Sequence, residues 1–272
     1  MNLTTVLGLV VALVCILGSV IIEGGHLSAL VNVPAALIVF GGTFGAAVVT
    51  ARMEDVLNLP RVVRQAFFSR LADPVSVSRT MVEMATLARR DGFLAMEKRL
   101  ASIRQSSPFM AKALQMVADG TSPDVVHEVM RTEVAQLARR HTRGAEFLMT
   151  MGGLAPTLGV TGTVMGLVHM MGKIDDPSSM GPAIASAFLA TLYGVASANV
   201  IFIPLATKLR SLSKDEQQSC QIILEGVRAI QRGDNPILVA EALKSFVAPG
   251  SRGKLEGSRP TEAESGERTR AA

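Results

Sequence analysis

Four stretches of this sequence are each about as long as the roughly 20 apolar residues that carry a helix across the core of a bilayer. None of them contains Asp, Glu, Lys or Arg. Because lipid offers the backbone no hydrogen-bond partners, such stretches must be helical. The sequence therefore predicts an all-α integral membrane protein with four transmembrane helices, at Leu3 to Ile22, Pro34 to Ala51, Phe147 to Met171 and Met180 to Ala206.

Two alternatives exist for these stretches: the core of a soluble all-α protein and, for the first stretch, a cleaved signal peptide. Composition argues against the first, since 18% of the residues are charged, whereas soluble proteins have about 25%. Against the second, Met1 to Thr5 carry no Lys or Arg, and the apolar run is longer than that of a signal peptide. We therefore expect four retained spans.

The distribution of basic residues predicts the topology. Glu23 to Val33 contains no Lys or Arg, Arg52 to Glu146 contains 15, and the chain after Thr207 contains 11. Loops rich in Lys and Arg stay on the cytoplasmic side. We expect both termini and the large central segment to be cytoplasmic, and the loop Gly172 to Ser179 to be external.

This topology divides the chain into five predicted segments. Two spans come first, a cytoplasmic helical domain follows, two further spans follow that, and a cytoplasmic helical extension leads into a tail. The tail is rich in Gly, Pro, Ser and charge, which predicts disorder. The segments are 1–51, 52–146, 147–207, 208–247 and 248–272.

Several helix boundaries can be predicted from capping patterns. Pro74, Pro108 and Pro123 each follow an Asp or Ser, which is typical of a first helical turn. No breaker follows Pro123 for many residues, so one helix is expected to continue from there into the third span. A helix is likewise expected to continue from the fourth span to Gln231, before the Gly-Asp-Asn-Pro run at Gly233.

Small residues recur at helical spacing in the third and fourth spans. Such stripes allow neighbouring helices in a membrane to approach closely. Gly159, Gly162 and Gly166 therefore predict close packing of the third span on a neighbouring helix. Ala190, Gly194 and Ala198 predict the same for the fourth span.

Hydroxyls and one proline give the same spans a polar character. Thr161, Thr163 and Thr191 can bond the carbonyl four residues earlier or contact an ion, and both roles remain open. Pro156 leaves one carbonyl of the third span without its helical donor. Such a carbonyl needs a partner or a water-filled path.

An ion path of this kind would lack one component. Ion-translocating membrane proteins commonly hold an ionisable carboxylate at depth, and the four spans contain none. The hypothesis that follows is that a partner supplies the carboxylate, while this chain supplies walls, hydroxyls and carbonyls.

Enzymatic and nucleic-acid functions find no support in the residues. The four histidines and two cysteines are scattered without metal-ligand spacing. No nucleophilic side chain with an adjacent general base is recognisable. The chain has no Trp and one Tyr, too few aromatic residues for base stacking. We expect no enzyme, no metal site and no cofactor other than a transported ion.

Several motifs resemble the MotA/PomA family of flagellar stator subunits, and together they extend over roughly residues 3–245. One motif is the cytoplasmic run from Leu87 to Glu97. The others belong to the last two spans and their connection: Met151 to Gly172, Asp175-Asp176-Pro177, Gly181 to Ala185, and Thr191-Leu192-Tyr193-Gly194 with Pro204.

The resemblance implies an assembly in the bacterial inner membrane. In this family a homo-oligomeric ring, a pentamer, surrounds two chains of a MotB/PomB-type partner, whose single membrane helix carries the essential aspartate. Flow of protons or sodium ions past that aspartate drives torque on the rotor protein FliG, for swimming and chemotaxis. The partner's aspartate would account for the missing carboxylate.

Residues of the ion path are also implied by the resemblance. Pro156 and Pro204 match prolines that couple ion passage to conformational change, and Thr163 and Thr191 match hydroxyls that face the partner's aspartate. At the position of Thr163 this chain resembles sodium-driven members, which also have Thr there. At Ala190, by contrast, some sodium-driven members have a further Thr. The coupling ion, proton or sodium, stays open.

The resemblance further implies a rotor-facing surface. Arg89 and Glu97 match the charged pair that meets the rotor, and Arg90 matches a neighbouring basic position. Lys98 departs from the sodium-driven pattern, in which an acid is common. Exposed charge pairs suit a contact that forms and releases quickly.

Two functions other than that of a flagellar stator subunit remain open. An ExbB/TolQ-type energiser of outer-membrane processes is a related ring, but it usually has three spans. A non-conducting membrane scaffold would use the Gly and Thr faces for packing alone.

Overall fold

The computed structural model describes residues 3–68, 72–172 and 177–253. The described residues form helices and no strand. We label the helices α1 (Leu3–Ile22), α2 (Val33–Thr50), α3 (Met53–Phe68), α4 (Pro74–Asp91), α5 (Glu97–Ser106), α6 (Pro108–Ala118), α7 (Pro123–Met171), α8 (Pro177–Ala196, continuing through Ser197–Phe202 into Ile203–Arg232) and α9 (Pro236–Lys244).

The four predicted spans are confirmed as helices long and apolar enough to cross a membrane. They correspond to α1, α2, the second half of α7 and the first half of α8. Half of the predicted external loop, residues 173–176, lies outside the described part, as does the predicted tail from residue 254 onward. The last three residues predicted as loop, 177–179, already belong to α8. The first residues of that tail are ordered, since Pro249–Ser251 forms a short 3-10 helix.

The predicted long helices are also confirmed. α7 runs without a break for 49 residues, through Pro156. α8 ends at Arg232, where Gly233 adopts a φ of 72° that residues with a side chain rarely reach. Two of the three predicted start signals act as caps: Asp73 accepts a hydrogen bond from the Val75 amide at 3.3 Å, and Ser107 Oγ accepts one from the Met110 amide at 3.3 Å.

Two of the apolar helices contain a π-helical segment, a feature that the sequence did not reveal. The segment in α2 is Leu37–Gly41 and the one in α8 is Ser197–Phe202. π-helical turns inside α-helices occur frequently at functional sites.

The described residues form two compact units. The first comprises residues 3–68, 139–172 and 177–213, and the second comprises 72–138 and 214–253. This grouping differs from the predicted segments, because α3 and the start of the 139–172 stretch pack with the apolar helices. Val62 of α3 lies against Gly144, for example. The boundaries between membrane and cytoplasmic segments stay predictions.

The second unit has an apolar core of its own. α4, α5, α6 and α9 surround parts of the two long helices. Met81, Leu114, Met130 and Ile222 have no exposed surface. Burial of side chains of this size stabilises a fold by roughly 1.5–3 kcal/mol each, so the unit holds its shape through apolar packing.

Cys220, on α8 in the second unit, offers a chemical test of that packing. Burial raises the pKa of its thiol to about 12, and the carboxylates of Glu216 and Glu133 add to the effect. Only the thiolate is nucleophilic. We therefore expect Cys220 in a Cys15→Ser background to react with iodoacetamide at pH 8 roughly a thousandfold more slowly in the folded chain than in the denatured one. Equal alkylation rates, followed by mass spectrometry, would contradict this packing.

Candidate ion path and rotor-facing surface

The structure brings together the two threonines that the resemblance assigned to the ion path. Thr163 on α7 and Thr191 on α8 are half-buried, and their hydroxyls are hydrogen-bonded to each other. Thr163 Oγ1 also lies 3.1 Å from Gly159 O and 3.0 Å from Ala187 O. Residues 28 positions apart therefore form a cluster of four oxygen atoms.

Two hydroxyls can donate only two hydrogens among these oxygens. When Thr191 donates to Thr163, Thr163 donates to one of the two carbonyls, and the other carbonyl keeps a free lone pair. Such a cluster can provide oxygen ligands for a hard cation or hydrogen bonds for a hydrated proton. It cannot provide a titratable group, because the four apolar spans contain no carboxylate.

Close packing of α7 on α8 holds this cluster. A Cβ added at Gly159 would lie 2.9 Å from Ala190 O, and one added at Gly194 would overlap Ala155 O. At both positions the obstacle is backbone. The predicted approach of the third span to a neighbouring helix is thus found, and that neighbour is the fourth span.

Thr161 makes a hydrogen bond within its own helix. Its side chain is exposed and donates to Thr157 O at 3.0 Å within α7. The bond to the carbonyl four residues earlier, one of the two roles that the sequence left open, is therefore formed, and contact with an ion stays a prediction.

The two predicted coupling prolines have different surroundings. Pro156 is half-buried, next to the Ala155 that contacts Gly194. Pro204 is exposed and follows the π-helical segment of α8, about 20 Å along the helix from Thr191 at 1.5 Å per residue. The hydroxyl cluster and Pro204 are therefore separate places in the first unit.

A polar network at the start of α2 was missed by the sequence reasoning. Asn32 caps α2 by accepting from the Ala35 amide at 2.9 Å, and its Nδ2 donates to Ser186 Oγ at 2.8 Å. The Asn32 amide donates to Tyr193 Oη at 2.9 Å, and that hydroxyl donates to Leu30 O. An Asn two residues before a proline was a usable cap signal, but its partners on α8 had no local signal.

This network predicts a stability effect for Asn32→Ala. The variant loses a helix cap and an interhelical bond, which together cost about 1–2 kcal/mol. The matched control is Asn199→Ala, because Asn199 is exposed and bonds only Val195 O of its own helix. We expect a lower thermal unfolding midpoint in detergent for Asn32→Ala alone. Equal midpoints for the two variants would show that the network does not stabilise the fold.

The predicted rotor-facing residues lie at one corner of the second unit. Arg89 and Arg90 are in the last turn of α4, the chain turns at Gly92 with a φ of 85°, and Glu97 begins α5. All three charged side chains are exposed. Arg90 also binds Asp91 at 2.9 Å, and this hydrogen bond holds the pKa of Asp91 below its usual range.

Two apolar side chains project at the same corner. Phe93 is 40% exposed and Leu94 is 69% exposed. The sequence reasoning included them in the motif but gave them no role. The surface around Arg89 and Glu97 therefore combines charged and apolar groups.

Comparisons with known proteins show the family to which this chain is related. The sequence model described as Motility protein A N-terminal matches residues 6–108, and the model of the MotA/TolQ/ExbB proton channel family matches residues 101–222. The chain is 34% identical to chemotaxis protein PomA of Vibrio alginolyticus over 93% of this chain and 98% of that protein. It is 31% identical to motility protein A of Bacillus subtilis over 98% of both chains.

Solved structures give the same result. A chain of the C. jejuni MotAB structure superposes with a TM-score of 0.86 at 30% identity, over 92% of this chain and 97% of that one. A chain of the flagellar MotAB stator complex from Bacillus subtilis gives 0.83 at 33% identity, over 92% and 98%. The chain belongs to the motility protein A family of flagellar stator subunits, within the MotA/TolQ/ExbB proton channel family.

Proposed function

We propose that this chain builds the wall of an ion path in a flagellar stator and that a second subunit supplies the titratable carboxylate. The observation that carries the proposal is the hydroxyl pair of Thr163 and Thr191, held between the apolar spans of α7 and α8, which contain no carboxylate. An ion passing this cluster needs a countercharge from elsewhere.

The partner in this proposal is a MotB/PomB-type chain. The two superposed structures are MotAB complexes, which supports such a partner and an oligomeric assembly. A pentamer of this chain around two partner chains is the arrangement that the family resemblance implies. The skewed distribution of Lys and Arg supports an inner-membrane orientation with both termini in the cytoplasm.

Torque passes to the rotor, in our proposal, through the corner that carries Arg89, Arg90 and Glu97. The rotor protein would be FliG. Exposed charges there favour rapid contact and release, while Phe93 and Leu94 add apolar area to each contact. Pro156 and Pro204 would transmit ion passage to the rest of the ring.

The coupling ion is proposed to be either a proton or sodium, with the same residues involved. The oxygens around Thr163 suit a sodium ion, while Ala190 contributes no further hydroxyl. A hydrated proton needs only the hydrogen-bonding chain that the two hydroxyls provide.

Ion flux into lipid vesicles tests the division of labour between the subunits. Vesicles are prepared with this chain alone, with its partner, and with a partner whose membrane aspartate is replaced by Asn. We expect proton or sodium flux only with the intact partner. Flux through the chain alone would overturn the proposal that the carboxylate comes from a second subunit.

A further inference from the structure

A cavity of about 510 Å³ lies in the first unit, away from the hydroxyl cluster. Its walls come from the end of α2, the start of α3, the residues of α7 just before the third span, and the residues of α8 just after the fourth. The cavity is therefore at the level where three apolar helices leave the membrane.

Three arginines line this cavity, one at the boundary of each of the three spans. Arg52 follows the end of α2, Arg143 precedes Phe147 on α7, and Arg210 follows Ala206 on α8. All three side chains are exposed. Within the described part of the chain, none of the three guanidinium groups makes an ion pair or a side-chain hydrogen bond.

The charge of the lining favours an anion. The carboxylates that line the cavity are Asp55 and Glu146, so the three arginines leave one net positive charge. Guanidinium groups bind phosphate oxygens in pairs of parallel hydrogen bonds. A cation from the ion path would be repelled here.

The apolar part of the lining argues for a lipid rather than a free ion. Ala51, Phe147 and Met149 contribute to the same walls as the arginines. A phospholipid has its phosphate next to its glycerol and acyl chains, which matches a pocket that is lined by both arginines and apolar side chains. Basic pockets between membrane helices bind anionic head groups in this way.

We propose that this cavity binds the phosphate of an anionic phospholipid, such as phosphatidylglycerol, through Arg52, Arg143 and Arg210. The bound lipid would fix the ends of α2, α7 and α8 relative to one another at the membrane surface. This site is independent of the proposed ion path, because it shares no residue with the hydroxyl cluster.

Native mass spectrometry of the full chain with its partner subunit in detergent tests the proposal. The complex is titrated with phosphatidylglycerol and, separately, with phosphatidylcholine. The pocket variant is Arg52→Gln with Arg143→Gln. The matched control is Arg64→Gln with Arg140→Gln. It also removes two positive charges, one from α3 and one from α7, but outside the cavity.

We expect the wild-type complex to prefer phosphatidylglycerol over phosphatidylcholine. Because one basic residue near a membrane surface contributes about a fivefold change in affinity for an anionic lipid, the pocket variant should bind phosphatidylglycerol about 25-fold more weakly. The control should stay within about twofold of wild type, since its arginines are outside the pocket.

Three results would overturn the proposal. Equal losses in both variants would show general attraction between a basic surface and anionic lipid. Full displacement of phosphatidylglycerol by millimolar inorganic phosphate would show a free-anion site. A change in the number of chains per complex in the pocket variant alone would show that the cavity holds a second copy of the chain.

Discussion

Replacing Gly194 by alanine is expected to abolish swimming, because the added methyl group has no space between α7 and α8. At this position a Cβ would overlap Ala155 O and would lie 3.0 Å from the Cα of Gly159. Both obstacles are backbone, so a rotamer change cannot relieve them. Overpacking typically costs about 1–3 kcal/mol, and we expect the upper end of that range or more for Gly194→Ala.

The consequence extends from stability to the ion path. Thr191 lies one turn before Gly194 on α8, so helices that move apart would separate its hydroxyl from that of Thr163. We therefore expect a lower thermal unfolding midpoint in detergent and no motility in soft agar, with the protein still detectable in the membrane fraction.

Gly153 provides the control for this substitution. It lies on α7 like Gly159, and a Cβ added there meets nothing within 4 Å. Gly153→Ala should swim and unfold like wild type. Normal swimming of Gly194→Ala would contradict the contact between α7 and α8 described here.

Thr191→Val is expected to leave the assembly intact and to stop the motor. Valine keeps the shape of threonine but cannot bond Thr163 Oγ1. The loss of stability should be small, about 0.6–2 kcal/mol for one hydrogen bond in a membrane. Ion flux should fall about tenfold or more, because the passing ion loses its contact with the Thr191 hydroxyl. A hydrogen bond to a charged group contributes about 1.5–3 kcal/mol.

Two further variants separate function from packing. Thr191→Ser restores the hydroxyl and should recover part of the flux. Thr157→Val removes an exposed hydroxyl that bonds only Leu154 O in its own helix, and it should leave flux unchanged. A scaffold without ion transport predicts the opposite for Thr191→Val, namely impaired assembly, which size-exclusion chromatography with the partner would detect.

The helical elements were predictable because their signals are local. Pro123 starts α7, and the absence of a glycine before Gly144 and of a proline before Pro156 allowed one helix to be followed into the membrane. The same applies to the stop at Gly233. Apolar length, capping residues and breakers act within a few residues of the element they define.

Contacts between distant residues were only partly predictable. The spacing of small residues indicated that the third and fourth spans each pack closely on a neighbouring helix, but it did not pair Gly159 with Ala190. Tyr193 and Asn32 are 161 positions apart, and no periodicity connects them. The side chains that meet across helices depend on the packing of the whole unit.

The arginine-lined cavity shows the same limit. Arg52, Arg143 and Arg210 each looked like an ordinary basic residue at a membrane boundary. Only the fold brings them to one cavity. The rotor-facing corner was more accessible to sequence reasoning, because Arg89 and Glu97 lie in one short run around Gly92.

Swimming speed shows most directly whether this chain is an ion-driven stator subunit. A strain lacking its own copy is complemented with this gene and its partner gene, and the sodium and proton gradients are varied independently. We expect restored swimming whose speed follows one of the two gradients and falls to zero when that gradient is collapsed. Speed that follows sodium would assign Thr163 to sodium binding, and speed that follows protons would assign it to a proton path. No restored motility under any gradient, with both proteins present in the membrane, would contradict the account.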